Sequence, residues 1–159
     1  TCIVRAMPNT PAAVGKGITA IVGNAVATGE DLDLAEALLR AVGHVVRIDE
    51  ETQMDAVTGV SGSGPAYVFY MIDALAEAGV AQGLPADLAM HLAKATVAGA
   101  GALAESASET PEQLRINVTS PNGTTQAGLE VLMRDDGLAP LMQATVRAAT
   151  ERSKELGNG

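Results

Sequence analysis

The chain has 159 residues, 47% of them apolar and 18% charged, and its formal net charge is −9. This composition is typical of a folded globular protein, and the negative charge argues against binding to nucleic acid or to an anionic membrane surface. The longest uncharged run, 56–72, contains serines, glycines and a proline, so no membrane span is predicted. Cys2 is the only cysteine, which excludes an intrachain disulfide and a cysteine-built zinc site and favours the cytoplasm as the compartment.

The first third of the chain carries the strand signals. Apolar and β-branched runs predict strands at 2–7, 17–23 and 44–48, and two prolines predict a loop at 8–11. A helix is expected to begin at 28–31 and to end at Gly43, because apolar residues recur between them at helical spacing. The chain begins at Thr1, directly before the first apolar run, so we expect a piece of a longer protein.

From residue 49 onward the periodicity is helical. It predicts helices at 54–60, 65–81, 85–106, 111–117, 123–134 and 140–156. Aromatic residues are only 2% of the chain, so small and aliphatic side chains must fill closely packed helix interfaces. The predicted fold class is therefore α+β: a small β-α-β unit followed by an all-helical domain.

The predicted helix 85–106 is apolar on nearly all of its faces. Its strongly polar side chains before Glu105, apart from Thr96, form one stripe of Asp87, His91 and Lys94. A helix of this kind must be covered on nearly all sides, which a chain of this length does poorly, so we expect a second copy to cover it. The alternative is a central helix in a monomeric bundle.

Several other motifs are weak. The pattern G-x-G-x-x-A occurs at 15–20 and 99–104, but neither copy lies at the strand-to-helix turn that binding of a pyrophosphate requires. The stretch 59–63 resembles a nucleophile elbow without its final glycine or its strand, and is more typical of a turn or a ligand-binding backbone loop. His44 and His91 fit ordinary, partly exposed positions. No cluster of residues has the spacing of a metal site, and none is predicted.

The stretch 118–132, VTSPNGTTQAGLEVL, places four hydroxyl groups around a turn and in front of an apolar helical run. The spacing predicts that a helix begins near Gly123, where backbone N–H groups lack partners and carry the positive end of the helix dipole. A carboxylate or a phosphate is the natural ligand for such a position. The alternative is that Ser120, Asn122 or Thr124 caps the helix by itself.

Three motifs give the chain a resemblance to a known enzyme family. They are AMPNTP at 6–11, DAVTGVSGSGPAY at 55–67 and NVTSPNGTT at 117–125. Together they resemble pyrroline-5-carboxylate reductase, which reduces a cyclic imine to proline with NADPH or NADH. The resemblance implies that 1–48 is the end of a nucleotide-binding Rossmann domain and that 49–159 is a helical substrate-binding and dimerisation domain. It also implies a homodimer, built into larger rings in some members, and a fragment without activity by itself.

The resemblance also assigns roles to residues. It places the Thr125 hydroxyl near the imine nitrogen, as the catalytic group, and gives the substrate carboxylate to the amides of Thr124 and Thr125. The implied substrate-binding set is Glu51, Ser120, Gly123, Thr124 and Thr125, and the implied cofactor-contacting set is Ala6, Met7, Pro8 and Asn117. Asn122 stands where the family pattern usually has glycine, so we expect it to adopt a left-handed conformation.

Two other functions remain open from the sequence. The first is a helical oligomerisation module without any ligand. The second is the helical domain of a related hydroxyacid dehydrogenase, which would need a lysine facing its substrate. Lys94 is the only lysine in the middle of a predicted helix, and it lies on the polar stripe.

Overall fold

The computed structural model describes residues 1–157, and its first part is a small three-stranded sheet. The strands are β1 (Val4–Met7), β2 (Gly17–Gly23) and β3 (Gly43–Arg47), in the order β1-β2-β3. β2 is antiparallel to β1 and parallel to β3, and helix α1 (Gly29–Leu39) connects β2 with β3. The predicted β-α-β unit is therefore confirmed. Short 3-10 turns at Thr10–Val14 and Arg40–Val42 were not predicted.

Local chemistry explains where α1 and β3 begin. The Thr28 hydroxyl accepts a hydrogen bond from the Asp31 amide (3.3 Å), and the Asp31 carboxylate accepts one from the Thr28 amide (2.8 Å). This reciprocal arrangement caps the helix at the predicted position. At the start of β3, Gly43 has φ 146° and pairs with Gly17, whose backbone would collide with any Cβ atom at position 43.

The core of the sheet lies along β2. Thr19, Ala20, Ile21 and Val22 are all buried, and Ala20 and Val22 pack with Met54 from the following helical segment. Met7, Ile48 and Val57 surround this cluster and are partly buried. The sheet and the start of the helical region consequently share one apolar core.

The rest of the chain is helical, as predicted. A 3-10 turn (Glu51–Gln53) leads into α2 (Met54–Val57) and a π-helix (Thr58–Gly62), which are followed by α3 (Gly64–Ala81), α4 (Ala86–Ser106), α5 (Pro111–Asn117), α6 (Thr124–Leu132) and α7 (Leu138–Gly157). The elbow-like stretch 59–63 was predicted as a turn or loop, which is wrong, because most of it is π-helix. Here the hydroxyls of Thr58 and Ser61 donate to the carbonyls of Met54 and Val57, and side-chain bonds of this kind loosen the α-helical ladder.

The chain divides into two compact units, each described by itself. The first consists of Thr1–Tyr67 together with the residues from Met142 onward, and the second of Val68–Leu141. In the first unit, α7 packs against the π-helix at Gly59, and the Ser153 hydroxyl donates to the Asp55 carboxylate over 2.6 Å. The predicted domain division at residue 48 rests on the resemblance and stays a prediction.

In the second unit, small residues hold α3 and α4 together. Ala76, Ala89 and Ala93 are buried at their interface, and a Cβ atom on Gly79 would lie 3.3 Å from that of Ala89. Gly83, with φ 95°, ends α3 at the predicted break. The expected close packing of helices through small side chains is present here.

The second unit also exposes large apolar side chains. On α4, the exposed fractions are 44% for Leu88, 46% for Leu92 and 54% for Leu103, and helical spacing puts these leucines on one face. On α3, Phe69 and Tyr70 are 58% and 76% exposed. This chain therefore does not cover the apolar faces of its own helices. Within residues 1–157, none of the helices combines the length and the apolar character that crossing a bilayer requires.

Candidate functional site

The start of α6 is open, as the anion-site hypothesis requires. Gly123 occupies the N-cap position with extended backbone (φ −84°, ψ 170°), and no side chain among the described residues caps this end. The first main-chain bond of the helix runs from the Ala127 amide to the Gly123 carbonyl (3.2 Å). The amides of Thr124 and Thr125 precede it, so the helix itself gives them no acceptor. The alternative of capping by Ser120, Asn122 or Thr124 is not what the structure has.

Gly123 is needed because the preceding turn folds tightly against it. A Cβ atom at this position would lie 2.5 Å from the Ser120 hydroxyl oxygen and 3.1 Å from the Ser120 carbonyl oxygen. The Gly123 amide donates to the same carbonyl over 3.0 Å. Ser120 is thereby held beside the start of α6, although it lies outside the helix.

Asn122 adopts the expected left-handed conformation, with φ 58°. Its backbone amide donates to the side-chain oxygen of Gln126 (2.8 Å), and the side-chain amide of Gln126 donates in turn to the Glu130 carboxylate (3.0 Å). The Gln126 side chain therefore gives the backbone amide of Asn122 an acceptor, and it leaves the backbone amides of Thr124 and Thr125 uncovered. Gln126 was not among the predicted site residues; its signal in the sequence is a glutamine placed four residues after a left-handed asparagine.

The four hydroxyl groups of the motif do not all lie at the start of α6. Thr119 donates to the Arg115 carbonyl over 2.6 Å and so belongs to the end of α5. Thr124 and Thr125 occupy the first turn of α6, and both are exposed. Asn117, the last residue of α5, accepts a hydrogen bond from the Gln113 side chain (2.8 Å). Asn117, Ser120, Gly123, Thr124 and Thr125 all lie in the second unit.

The remaining predicted site residues lie in the first unit. Glu51, in the 3-10 turn before α2, accepts a hydrogen bond from the Arg5 guanidinium over 2.9 Å, and both side chains are substantially exposed. This ion pair borders an open groove of about 830 Å³, which is also lined by Thr52, Asp55, Ser153 and Lys154. An exposed pair of this kind contributes little to stability, so Arg5 and Glu51 can exchange partners at low cost.

The segment formed by Ala6, Met7 and Pro8 consists of the last two residues of β1 and the residue that follows them. Met7 packs against the core of Ala20, Val22 and Met54, whereas Ala6 and Pro8 are exposed. The structure thus places the nine predicted site residues in two groups, one in each compact unit.

The weaker motifs have structural roles. The glycines at 15–20 run into β2, and those at 99–104 lie inside α4, so neither copy forms a strand-to-helix turn. Ser61 donates its hydroxyl to the Val57 carbonyl over 3.0 Å. Among residues 1–157, no group of histidine, cysteine and acidic side chains is arranged to hold a metal ion.

The family of this chain follows from its match to a known family profile. The family profile described as pyrroline-5-carboxylate reductase dimerisation matches residues 51–156. The chain belongs to the pyrroline-5-carboxylate reductase family. Pyrroline-5-carboxylate reductase of Synechocystis is 52% identical over 155 residues, which are 98% of this chain and 57% of the relative. The reductase of Pisum sativum is 47% identical over 153 residues, 96% of this chain and 55% of the relative.

Solved structures of the family have the same fold. A pyrroline-5-carboxylate reductase from Coxiella burnetii superimposes with a TM-score of 0.94 at 41% identity, covering 98% of this chain and 57% of that one. The Plasmodium falciparum enzyme, whose crystal structure has NADP bound, superimposes with a TM-score of 0.86 at 34% identity, covering 99% and 59%. The chain thus spans a little over half the length of these relatives.

Proposed function

We propose that this chain supplies the substrate-binding and dimer-forming part of a reductase that converts 1-pyrroline-5-carboxylate into L-proline, the last step of proline biosynthesis. The observation that carries the proposal is the uncapped start of α6, next to an exposed Thr125, in a member of this family. The net charge of −9 would repel an anionic substrate, so local donors must hold it.

The amides of Thr124 and Thr125 are the donors assigned to the substrate carboxylate. They lie at the positive end of α6, where a carboxylate gains from both hydrogen bonds and the helix dipole. Gly123 lets the ligand approach the backbone closely, because the N-cap position carries no side chain of its own and no side chain makes a capping hydrogen bond there. Ser120, held beside Gly123, and Glu51 are the other residues that the family resemblance assigns to the proposed substrate-binding set.

Thr125 is the proposed catalytic residue. Its hydroxyl is too weak an acid to protonate the imine unaided, so its role is to orient the imine nitrogen and to relay a proton from solvent. Protonation makes the imine carbon a better hydride acceptor. The carboxylate clamp at the neighbouring amides fixes the distance and the face of the ring.

NADPH or NADH is the proposed source of the hydride. Ala6, Met7 and Pro8 fit contact with a flat, largely apolar nicotinamide: Ala6 and Pro8 are exposed, and Met7 fixes the segment to the core. Asn117, exposed at the end of α5, offers an amide group for a polar part of the same cofactor. Residues 1–48 are then the end of the nucleotide-binding domain, and 49–159 the substrate-binding and dimerisation domain.

The exposed apolar faces of α3 and α4 support a homodimer as the functional form. A second copy of the chain is the natural partner for an exposed apolar face of this kind, because the matching family profile is described by dimerisation. Larger rings of dimers are compatible with the same proposal, and we propose the cytoplasm as the compartment.

The test is to assay the complete protein that contains this chain for oxidation of NADPH and NADH dependent on pyrroline-5-carboxylate. A second test uses the 159-residue chain by itself: proline should raise its melting temperature, because a ligand that binds only the native state stabilises it. A helical oligomerisation module without a ligand, the main alternative, predicts no response in either test. A related hydroxyacid dehydrogenase would instead oxidise a hydroxyacid and leave the imine unreduced.

A further inference from the structure

Asn9 joins three parts of the first unit through its side chain. Its amide group donates to the Ser61 carbonyl in the π-helix over 3.1 Å, and its side-chain oxygen accepts from the Ile18 amide in β2 over 3.0 Å. Both hydrogen bonds are partly buried. Asn9 also directly follows the Ala6–Pro8 segment, so it fixes the end of that segment to β2 and to the π-helix.

The sequence explains why the Ser61 carbonyl is available to Asn9. In a continuing α-helix this carbonyl would accept from the residue four positions ahead, which is Pro65 and has no N–H group. The next amide, that of Ala66, donates instead to the Ser63 carbonyl over 3.0 Å. A partly buried carbonyl without a partner is unfavourable, and the Asn9 side chain satisfies it.

The Ala6–Pro8 segment is consequently anchored at two points. Met7 packs into the core with Ala20, Val22 and Met54, and its sulfur lies near Gly62 of the π-helix. Two residues later, Asn9 makes its two hydrogen bonds. Ala6 and Pro8 remain exposed on either side of the partly buried Met7 anchor.

We propose that Asn9 is a positioning residue for the nicotinamide nucleotide. The inference rests on the proposed function, in which Ala6, Met7 and Pro8 contact the nicotinamide half of the cofactor. Asn9 touches neither substrate nor cofactor; it holds the contacting backbone ready before the nucleotide arrives. A segment ordered in advance binds more tightly, because less conformational entropy is lost on binding.

The variant Asn9→Asp tests this role with little change in shape. A carboxylate still accepts a hydrogen bond from Ile18, but it cannot donate to the Ser61 carbonyl. Asn24→Asp is the matched control. The Asn24 side chain donates to the Thr1 carbonyl (3.0 Å) and accepts from the Ile3 amide (3.3 Å), and both partners lie just before the first residue of β1. The two asparagines thus make the same kinds of hydrogen bond, and only Asn9 adjoins the proposed cofactor contact.

In the complete reductase, Asn9→Asp should raise the KM for NADPH or NADH about ten-fold, the factor expected when one partly buried hydrogen bond is lost. The KM for pyrroline-5-carboxylate should not change, and Asn24→Asp should change neither KM. A merely structural role for Asn9 would alter both KM values alike or neither of them, and either result overturns the proposal.

Hydrogen exchange in the 159-residue chain by itself separates this inference from the proposed function. Below the melting temperatures of both variants, Asn9→Asp should speed amide exchange in residues 5–7, and Asn24→Asp should not. Equal exchange in the two variants would overturn the proposal even if the complete protein is an active reductase. If the complete protein does not reduce the imine, the proposed function fails instead, whatever the exchange shows.

Discussion

Gly59 and Thr150 are in direct contact, because α7 crosses the π-helix where position 59 has no side chain. A Cβ atom on Gly59 would collide with the Thr150 hydroxyl and would lie 3.0 Å from the Val146 carbonyl oxygen. The Thr150 hydroxyl is itself fixed by a hydrogen bond to that carbonyl (2.8 Å). Neither group can move away cheaply, so the close approach depends on glycine.

The first prediction is that Gly59→Ala destabilises the chain by about 1–3 kcal/mol, the usual effect of overpacking a fitted interface. Denaturant unfolding measures the change. Gly64→Ala is the control, since a Cβ atom at Gly64 meets nothing within 4 Å and its φ is not left-handed. Equal free energies of unfolding for the two variants would show that α7 does not depend on this contact.

The second prediction concerns the hydroxyl of Thr125. In the complete reductase, Thr125→Ala should lower kcat by roughly ten- to a thousand-fold, within the range of a positioned proton-transfer group. Thr125→Ser keeps the hydroxyl and should retain most of the activity. Thr119→Ala removes a hydroxyl that bonds to the Arg115 carbonyl and should leave kcat unchanged. Undiminished turnover in Thr125→Ala would remove the catalytic role from this residue.

The third prediction concerns the exposed leucines of α4. Leu92→Glu should shift the chain from dimer to monomer in sedimentation, because burying an unpaired carboxylate in an apolar interface is costly. His91→Glu adds the same side chain to the polar stripe one position earlier and should leave the sedimentation unchanged. Dimers of undiminished stability in Leu92→Glu would mean that another face joins the copies.

The fourth prediction follows from two carboxylates of α1. Hydrogen bonds from the Arg47 and Arg40 guanidinium groups lower the pKa of Glu36 from its ordinary 4.5, and the Thr28 amide and hydroxyl lower the pKa of Asp31 from 3.8. Since both values are depressed in the folded state, the stabilisation is present above these ordinary values and is lost as the pH falls below them. Thermal melting between about pH 6 and 3 should show this loss.

Glu36→Gln is the variant that checks the assignment. It removes a carboxylate that accepts from Arg47 over 2.7 Å, so the melting temperature should depend less steeply on pH in the acid range. Glu30→Gln, in the first turn of the same helix, serves as the control. An unchanged slope in Glu36→Gln would assign the acid sensitivity to other groups.

Much of the fold could be predicted because local rules decide it. The capping pair of Thr28 and Asp31 and the break at Gly83 depend on residues within a few positions of one another. The left-handed Asn122 was expected from the glycine that the family pattern has at its place. The π-helix could not be predicted, since its apolar spacing is nearly that of an α-helix and its side-chain bonds to carbonyls have no signature in periodicity.

The candidate site was predictable to a similar degree. The start of α6 lies within one continuous motif, and its glycine and threonines indicate an open helix terminus. Asn9 was missed because its partner Ser61 is 52 positions away, and sequence spacing says nothing about contacts at that distance. The missing N–H group of Pro65 was the available signal, but it shows only that a carbonyl needs a donor, not which residue provides it.

The hydrogen bond between Asp55 and Ser153 joins two parts of the first unit that are 98 positions apart in the chain. During synthesis on the ribosome, residues 68–137 emerge, and can pack, before α7 exists to meet Gly59 and Asp55. The first unit is therefore the last to be completed, and its early part must wait with the α7-facing surface uncovered. A protein that stops short of α7 would leave that surface open to chaperones and proteases.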